Sequence, residues 1–288
     1  MTDWTELSAR ASMASHRLIG WIYWDPVAIE GYTTLGVDGG LGYYIASRGA
    51  PLAPAGHQAV AAAFYSIHPV FIEVCIQAAA DATTFDAVTD VRNAAVGEGL
   101  RRYVPGICDE LAGLRDPLWE AADALSSSGR VLFAAHRQWP RPSDPVVSAW
   151  LAVNCIREYR GDTHFAILSS EALTGTQAGL LHDAFLNYPG DWIPRSRGAD
   201  DEALAVALAD LEARGLATAG KVNDAGLVLR QRIEDRTNEL AQAAWRLLGE
   251  DLTLAFVDLV EPVGARLLER IDLTAGPDWM PAARERRA

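Results

Sequence analysis

Lysine is almost missing from this chain: of 25 Lys+Arg residues, every one but Lys221 is arginine. A lysine imine, a Walker-type phosphate lysine and a lysine-rich nucleic-acid face therefore have no seat. Cysteine is scarce too. Cys75, Cys108 and Cys155 are odd in number, far apart and set in hydrophobic segments, and they form no C-x-x-C pair for a zinc ribbon or iron–sulfur cluster. They read as small buried hydrophobes of a reducing compartment. No run approaches the roughly 18–20 uninterrupted apolar residues of a membrane helix. The polar start MTDWTELSAR lacks a secretory signal pattern, so the expected location is the cytoplasm, away from membranes.

Short chemical motifs are missing as well. G-x-S-x-G, G-x-x-x-x-G-K-[ST] and G-x-G-x-x-G do not occur, so neither a hydrolase elbow nor a nucleotide cofactor is indicated. The histidines at 16, 57, 68, 136, 164 and 182 form no H-x-x-x-H or H-E-x-x-H, and no metal is expected. Basic charge is short overall. With 38 Asp+Glu the formal charge is −13, which disfavours sequence-independent attraction to nucleic acid or anionic lipid.

What remains is a 288-residue chain, half hydrophobic and with nine tryptophans, long enough for a sizeable core. Helical spacing dominates and alternating strands are nearly absent, so the expected fold is mainly α. Helices are read over 6–23, from Asp25-Pro26 onward, and, after a break at Gly39-Gly40, over 42–48, 55–67, 69–80 and 84–103. Pro105-Gly106 is the first internal boundary. A long helix over 146–159 is expected to stop at Gly161, with a second one starting at His164. The stretch 257–271 carries an apolar stripe and reads as one helix, able to pair with a second chain or to pack on its own domain. The expected organisation is a helical N-terminal domain (1–104), a connection (105–145), a winged-helix domain (146–272) and a flexible tail (273–288).

The most specific local pattern is LADLEARGLATAGKVNDAGLVLRQRIEDRTNELA, residues 208–242. A helix ends at Arg214-Gly215, a short hairpin turns at Gly220, and Asn223 caps a long helix. That order is similar to the winged-helix domain of MarR-type regulators, and a tandem winged-helix arrangement also fits. A DNA-reading winged helix inserts the helix before the wing into the major groove. Here that helix carries Asp200, Asp201, Glu202, Asp210 and Glu212 against Arg214 alone. Carboxylates there repel phosphates, so a scaffold role is the favoured reading.

A wider resemblance rests on five segments: Gly42 to Leu52 (GYYIASRGAPL), Phe64 to Pro69 (FYSIHP), Gly129 to Ala135 (GRVLFAA), Arg157 to His164 (REYRGDTH) and the winged-helix segment. Over about residues 14–270 the chain resembles the actinobacterial SalK-like helix-turn-helix family, which recurs in secondary-metabolite settings. The resemblance implies fold and context but no reaction. The family usually has histidine where Tyr159 stands, glycine where Thr163 stands, and asparagine near His136. The Arg157, Asp162 and His164 positions match.

Two clusters are candidate sites. In the first, Trp150, Asn154 and Arg157 share a helical face directly before Asp162 and His164. Arg157 suits an anionic oxygen, His164 a proton transfer near neutral pH, and Asp162 the orientation of that histidine. The same residues also suit a structural network at a helix end. The second cluster has Trp24, then Tyr44 and Arg48 at i, i+4, then Tyr65 and His68 beside Phe64. Aromatics with a few polar groups fit a cavity for a mostly apolar ligand, and equally an ordinary core edge. His68 before Pro69 is a candidate base or merely a helix cap.

The candidate catalytic residues are thus His164, Asp162, Arg157 and His68, and the candidate binding residues Tyr44, Arg48, Tyr65, Trp150, Asn154 and Trp24. The favoured function is a cofactor-independent cyclase, isomerase or lyase of secondary metabolism, acting on a small apolar or polyketide-like metabolite. A non-catalytic binding or resistance protein is the alternative, and a ligand-responsive regulator is less favoured. The expected partner is the metabolite, with no nucleic acid and no membrane, and a homodimer through the C-terminal helix remains open.

Overall fold

A computed structural model describes residues 2–37 and 40–287, the side chains of Gly40 and Leu41 excepted. The fold is mainly α, with one two-stranded antiparallel sheet among the described residues. The break expected at Gly39-Gly40 falls partly outside them.

Capping chemistry explains many helix starts. Helix α1 (Trp4–Gly20) begins at Asp3, whose carboxylate accepts the Thr5 and Glu6 N–H groups, and it continues as a 3₁₀ turn over Trp21–Tyr23. Helix α2 (Pro26–Thr34) has Asp25 at its N-cap and proline in the first turn. Asp25 is buried, and its second oxygen accepts from Arg270 Nε at 2.9 Å, which ties the start of α2 to a helix near the other end of the chain. Then follow α3 (Gly40–Gly49), α4 (His57–Phe64), α5 (Pro69–Ala82) and α6 (Phe85–Tyr103). The helix expected over 55–67 is shorter than its pattern because Tyr65 turns the chain at φ 53°.

Short helices α7 (Cys108–Gly113), α8 (Arg115–Ala124) and α9 (Val131–Gln138) lead into α10 (Pro145–Ser170). Asp144 caps α10 by accepting from Val146 and Val147 N–H. Its 26 residues make a rod of about 39 Å that runs without a break through Gly161. The helix stop expected there does not occur. Gly161 costs roughly 1 kcal/mol of helix propensity, which burial on both sides of it outweighs.

The winged helix follows. Helix α11 (Gly175–Leu186) opens with a capping box between Thr174 and Gln177, and α12 (Trp192–Arg195) is one turn. Helix α13 (Asp201–Ala213) precedes the wing, β1 (Ala217–Thr218) paired with β2 (Lys221–Val222). Helix α14 (Asp224–Leu248) completes it, with the Asn223 side chain accepting from Gly226 N–H. The motif Asn-Asp-Ala-Gly has a steric reason: a Cβ on Gly226 would lie 2.4 Å from the Leu216 carbonyl oxygen and 2.6 Å from Val222 Cγ1. Only glycine lets the wing settle on α14.

Four buried apolar clusters form among the described residues, and two of them organise the C-terminal half. One is confined to the winged helix, where Leu181, Leu211, Leu229 and Ile233 meet the end of α10. The main core joins α1, α6 and α10 to the far half of α14 and to α15 (Glu250–Val260) and α16 (Gly264–Asp272). Trp245 stacks on Phe256 at 5.3 Å between α14 and α15. The helix expected over 257–271 is therefore two, separated by a 3₁₀ turn at Glu261–Val263, and much of its apolar stripe packs on α1. The main core crosses Pro105-Gly106 without interruption. The stretch 273–288, expected to be a flexible tail, folds back onto α1 as far as it is described, burying Met280 and Ala283.

Candidate functional site

Between α1, α10, α11 and α14 lies a cavity of about 660 Å³, closed on one side by residues 279–286. Such a volume suits a small organic ligand. Both sequence clusters contribute to it: Trp24, Tyr44, Arg48 and Phe64 from one, Arg157 and His164 from the other.

Helix periodicity selects which residues of α10 take part. Arg157, Arg160, Gly161, His164, Phe165 and Leu168 recur at three- and four-residue steps and face the cavity. Asp162 points away from it, as a continuous helix requires of a residue two positions from His164. Its carboxylate accepts from Phe133 N–H at 2.9 Å and borders a separate groove with Arg130, Arg232 and Arg236. Burial pushes the Asp162 carboxyl up to about 6. The expectation that Asp162 orients His164 is thus overturned.

Arg157 and Arg48 are the best-supported polar residues of the cavity wall. Arg48 Nε and Nη2 donate to the two oxygens of Glu158 at 2.9 and 2.7 Å. Arg157 Nη2 donates to Glu158 Oε1 as well. Burial alone would raise the Glu158 carboxyl, but Arg157 and Arg48 hold it well below the usual carboxylate range. Arg157 Nε donates to Asn154 Oδ1, and Asn154 Nδ2 faces His136 Nδ1 at 3.2 Å. His136 Nε2 meets the Arg48 carbonyl at 2.9 Å and must donate there, so Nδ1 is left to accept from Asn154. Asn154 therefore stands behind Arg157 and not on the cavity. Trp150 is also core: it is fully buried, its Nε1 donates to the Leu18 carbonyl, and Arg92 lies over its ring.

His164 is held in one tautomer. Its Nδ1 lies 2.9 Å from Thr237 Oγ1, whose own proton goes to the Ile233 carbonyl. The threonine oxygen must accept there, so Nδ1 carries the hydrogen and Nε2 a free lone pair. Burial and the Arg230 charge lower the imidazole to about 3, so it is neutral at physiological pH.

The aromatic end is layered. Trp24 stacks on Tyr44 with centroids 5.4 Å apart and meets Trp279 at the same separation. The Tyr44 hydroxyl accepts from Arg48 Nη1 at 2.8 Å, and the Arg48 guanidinium lies 4.5 Å from the Phe64 ring. Two expected members are displaced. Tyr65 donates its hydroxyl proton to the Leu173 carbonyl and stacks on Phe165. His68 is exposed and caps α5, its Nδ1 accepting from Val70 N–H. The X-Pro step and the positive φ at Tyr65 swing both off the cavity lining.

Among the lining residues that escaped the sequence are His16, His182, Arg197 and Arg230. They lie on α1, α11, the loop after α12 and α14, and no local spacing joins them. Burial first, then neighbouring arginines, holds both His16 and His182 well below the usual histidine range. Among the described residues no group of three or more His, Cys, Asp or Glu is arranged to hold a metal ion. Nor is any described helix long and apolar enough to cross a membrane.

The helix before the wing keeps its carboxylates outside. Asp201, Glu202, Asp210 and Glu212 are all exposed on α13. The three arginines closest in sequence do not offset them as a common face. Arg195 pairs with Asp201 at 2.8 Å, Arg214 donates to the Glu171 and Ala172 carbonyls, and Arg197 lines the cavity.

Compared with known proteins, the chain matches the model of a helix-turn-helix family over residues 8–274, and it belongs to that family. No curated protein and no solved structure matches it.

Proposed function

We propose that this member of the helix-turn-helix family is a cofactor-independent enzyme that binds a small, largely apolar metabolite in the central cavity and acts on it by acid–base chemistry. The observation that carries the reading is the pairing of a neutral, tautomer-fixed His164 with Arg157 and Arg48 on one aromatic-lined cavity. With its imidazole lowered to about 3, His164 Nε2 takes the substrate proton only as the oxyanion developing beside it raises its basicity, and a guanidinium stabilises that oxyanion. Cyclisations, isomerisations and eliminations all need these two functions and an enclosing shape. The resemblance to SalK-like proteins of secondary-metabolite settings supports the substrate class.

The test is to recover the bound metabolite from native protein by mass spectrometry and return it to fresh enzyme. Wild type is expected to convert it, while His164→Gln binds it and converts it at least about a hundredfold more slowly. If wild type returns the compound unchanged, the chain is a binding or resistance protein.

Membership of a helix-turn-helix family favours a second reading, a ligand-responsive regulator. Exposed carboxylates on α13 count against it. Mobility shift with duplex DNA at about 50 mM salt, where phosphate contacts are strongest, separates the two. Salt-dependent, sequence-selective binding would make the regulator the better account.

A further inference from the structure

The charges around the cavity do not balance. Arg48 and Arg157 share Glu158, and Arg160 and Arg230 share Glu234. Arg197 has no carboxylate within ion-pair distance among the described residues. Its Nη1 donates to the Ile193 carbonyl at 2.9 Å and approaches Ser196 Oγ at 3.4 Å, which leaves the Nε and Nη2 donors uncommitted. Of the lining residues within 279–286, Arg284 pairs with Asp272, Glu285 pairs with Arg17 and Arg286 lies over the Phe185 ring; the other five arginines stand against two glutamates, and the lining histidines are neutral. A buried cation needs a partner or a strong hydrogen bond to its charge.

Two further arginine donors of the lining are unsatisfied. Arg230 is 4% exposed, yet its buried Nη1 has no hydrogen-bond partner, and neither does the buried Nε of Arg160. His182, Arg197 and Arg230 all line the cavity, and burial first, then both guanidinium charges, keeps the imidazole neutral. Asp183 does not line the cavity; its carboxylate accepts from the Ile193 N–H at 2.8 Å. Trp24, Phe64 and Trp279 add rings to the lining, with Trp279 edge-on to Trp192 of α12 and Phe64 beside the Arg48 guanidinium.

We propose that the α11–α12 end of the cavity is an anion subsite, where Arg197, backed by Arg230 and His182, grips the carboxylate of an amphipathic ligand whose apolar body lies against Trp24, Phe64 and Trp279. The planar guanidinium fork matches a carboxylate in two parallel hydrogen bonds. This assignment rests on the cavity being the ligand site and narrows its ligand to an aromatic or aliphatic carboxylic acid. It also orients the ligand: the acid end is held by Arg197, and the remainder reaches the Arg48–Arg157 wall.

Two probes that differ only in the acid group test it: 1-pyrenebutyric acid and 1-pyrenebutanol, titrated against the full chain and read by pyrene emission. Wild type is expected to bind the acid roughly ten- to a hundredfold more tightly than the alcohol. Arg197→Gln abolishes that preference while leaving alcohol binding intact, and Arg197→Lys retains part of it. Circular dichroism checks the fold of each variant, and the lysine variant carries the comparison if the glutamine variant does not fold. Equal affinity of wild type for both probes overturns the anion subsite and leaves the cavity reading standing. Failure of both probes to bind wild type overturns the cavity reading itself. A preference that survives Arg197→Gln removes Arg197 from the role.

Discussion

Arg48 and Arg157 are tied together twice: their guanidiniums share the Glu158 carboxylate, and a relay through Asn154 and His136 links the Arg157 Nε to the Arg48 backbone carbonyl. The closed loop joins α3, α9 and α10. It fixes two cations on the cavity wall in a single geometry, which is what selective recognition of an oxyanion requires. The Asn154 and His136 positions supply no direct contact with a ligand; they hold Arg157 in place.

Replacing Glu158 with glutamine leaves two nearly buried guanidiniums without their counter-charge. A loss of about 3–5 kcal/mol is expected, read from urea denaturation. A loss below about 1 kcal/mol would show that water already reaches and screens the pair.

Acid should destabilise the protein early. The folded His164 is lowered to about 3 from an ordinary 6.5, so its contribution to stability is full above pH 6.5 and is lost as the pH falls. Burial lowers His136 likewise, to about 4, and His16 and His182 move the same way. Asp162 and Asp183, both raised by burial to about 6, act in the opposite sense, their contribution being lost as the pH rises through that value. Four histidines outnumber two aspartates, so melting temperature should drop below pH 6.5. His164→Gln should flatten the slope by up to about 1.4 kcal/mol per pH unit. An unchanged slope in that variant would show that His164 is charged or solvated in the folded state.

Gly226→Ala should loosen the wing. The new Cβ would meet the Leu216 carbonyl and Val222, at an expected cost of about 1–3 kcal/mol. Hydrogen exchange should speed up in residues 216–222 before the main core is affected. Gly106→Ala, where an added Cβ meets nothing within 4 Å, is the control and should shift stability by less than about 0.5 kcal/mol.

Deleting residues 276–288 removes Trp279 and Met280 from the cavity and Ala283 from the core. Helical circular dichroism should persist, while pyrenebutanol affinity falls about tenfold or more, since one apolar wall is gone. An affinity that stays within about twofold would mean that this segment encloses the cavity without contributing to binding.

Much of the fold was legible because capping and periodicity are local. Asp25, Thr84, Asp144 and Asn223 each mark a helix start that the structure contains, and Gly215 and Gly220 frame the wing at positive φ. Gly161 misled because the buried turns on either side of it carry the helix through: an added Cβ would make only ordinary contact, 3.6 Å from Glu158 Oε2, so the glycine is neither a break nor a steric necessity. The cavity members Trp24, Tyr44, Arg48, Arg157 and His164 could be read as aromatic and ionisable clusters. Asp162 was misread because a break in α10 would have freed its direction. Arg197 and His182 carried no signal, since neither belongs to a spaced pair that points to the cavity. Arg230 does have Glu234 four residues on, a visible pair, but on a helix of interspersed acids and arginines such a pair reads as solvated surface.

The cavity's walls come from opposite ends of the chain, Ala9 to His16 in α1 and Trp279 to Arg286 at the other side. The cavity is therefore not enclosed until residues 279–286 have docked on α1. The winged-helix core, whose residues span 167–233, can form well before that point. A ligand that fills the cavity thus binds only the docked state, and by mass action it holds residues 279–286 against α1.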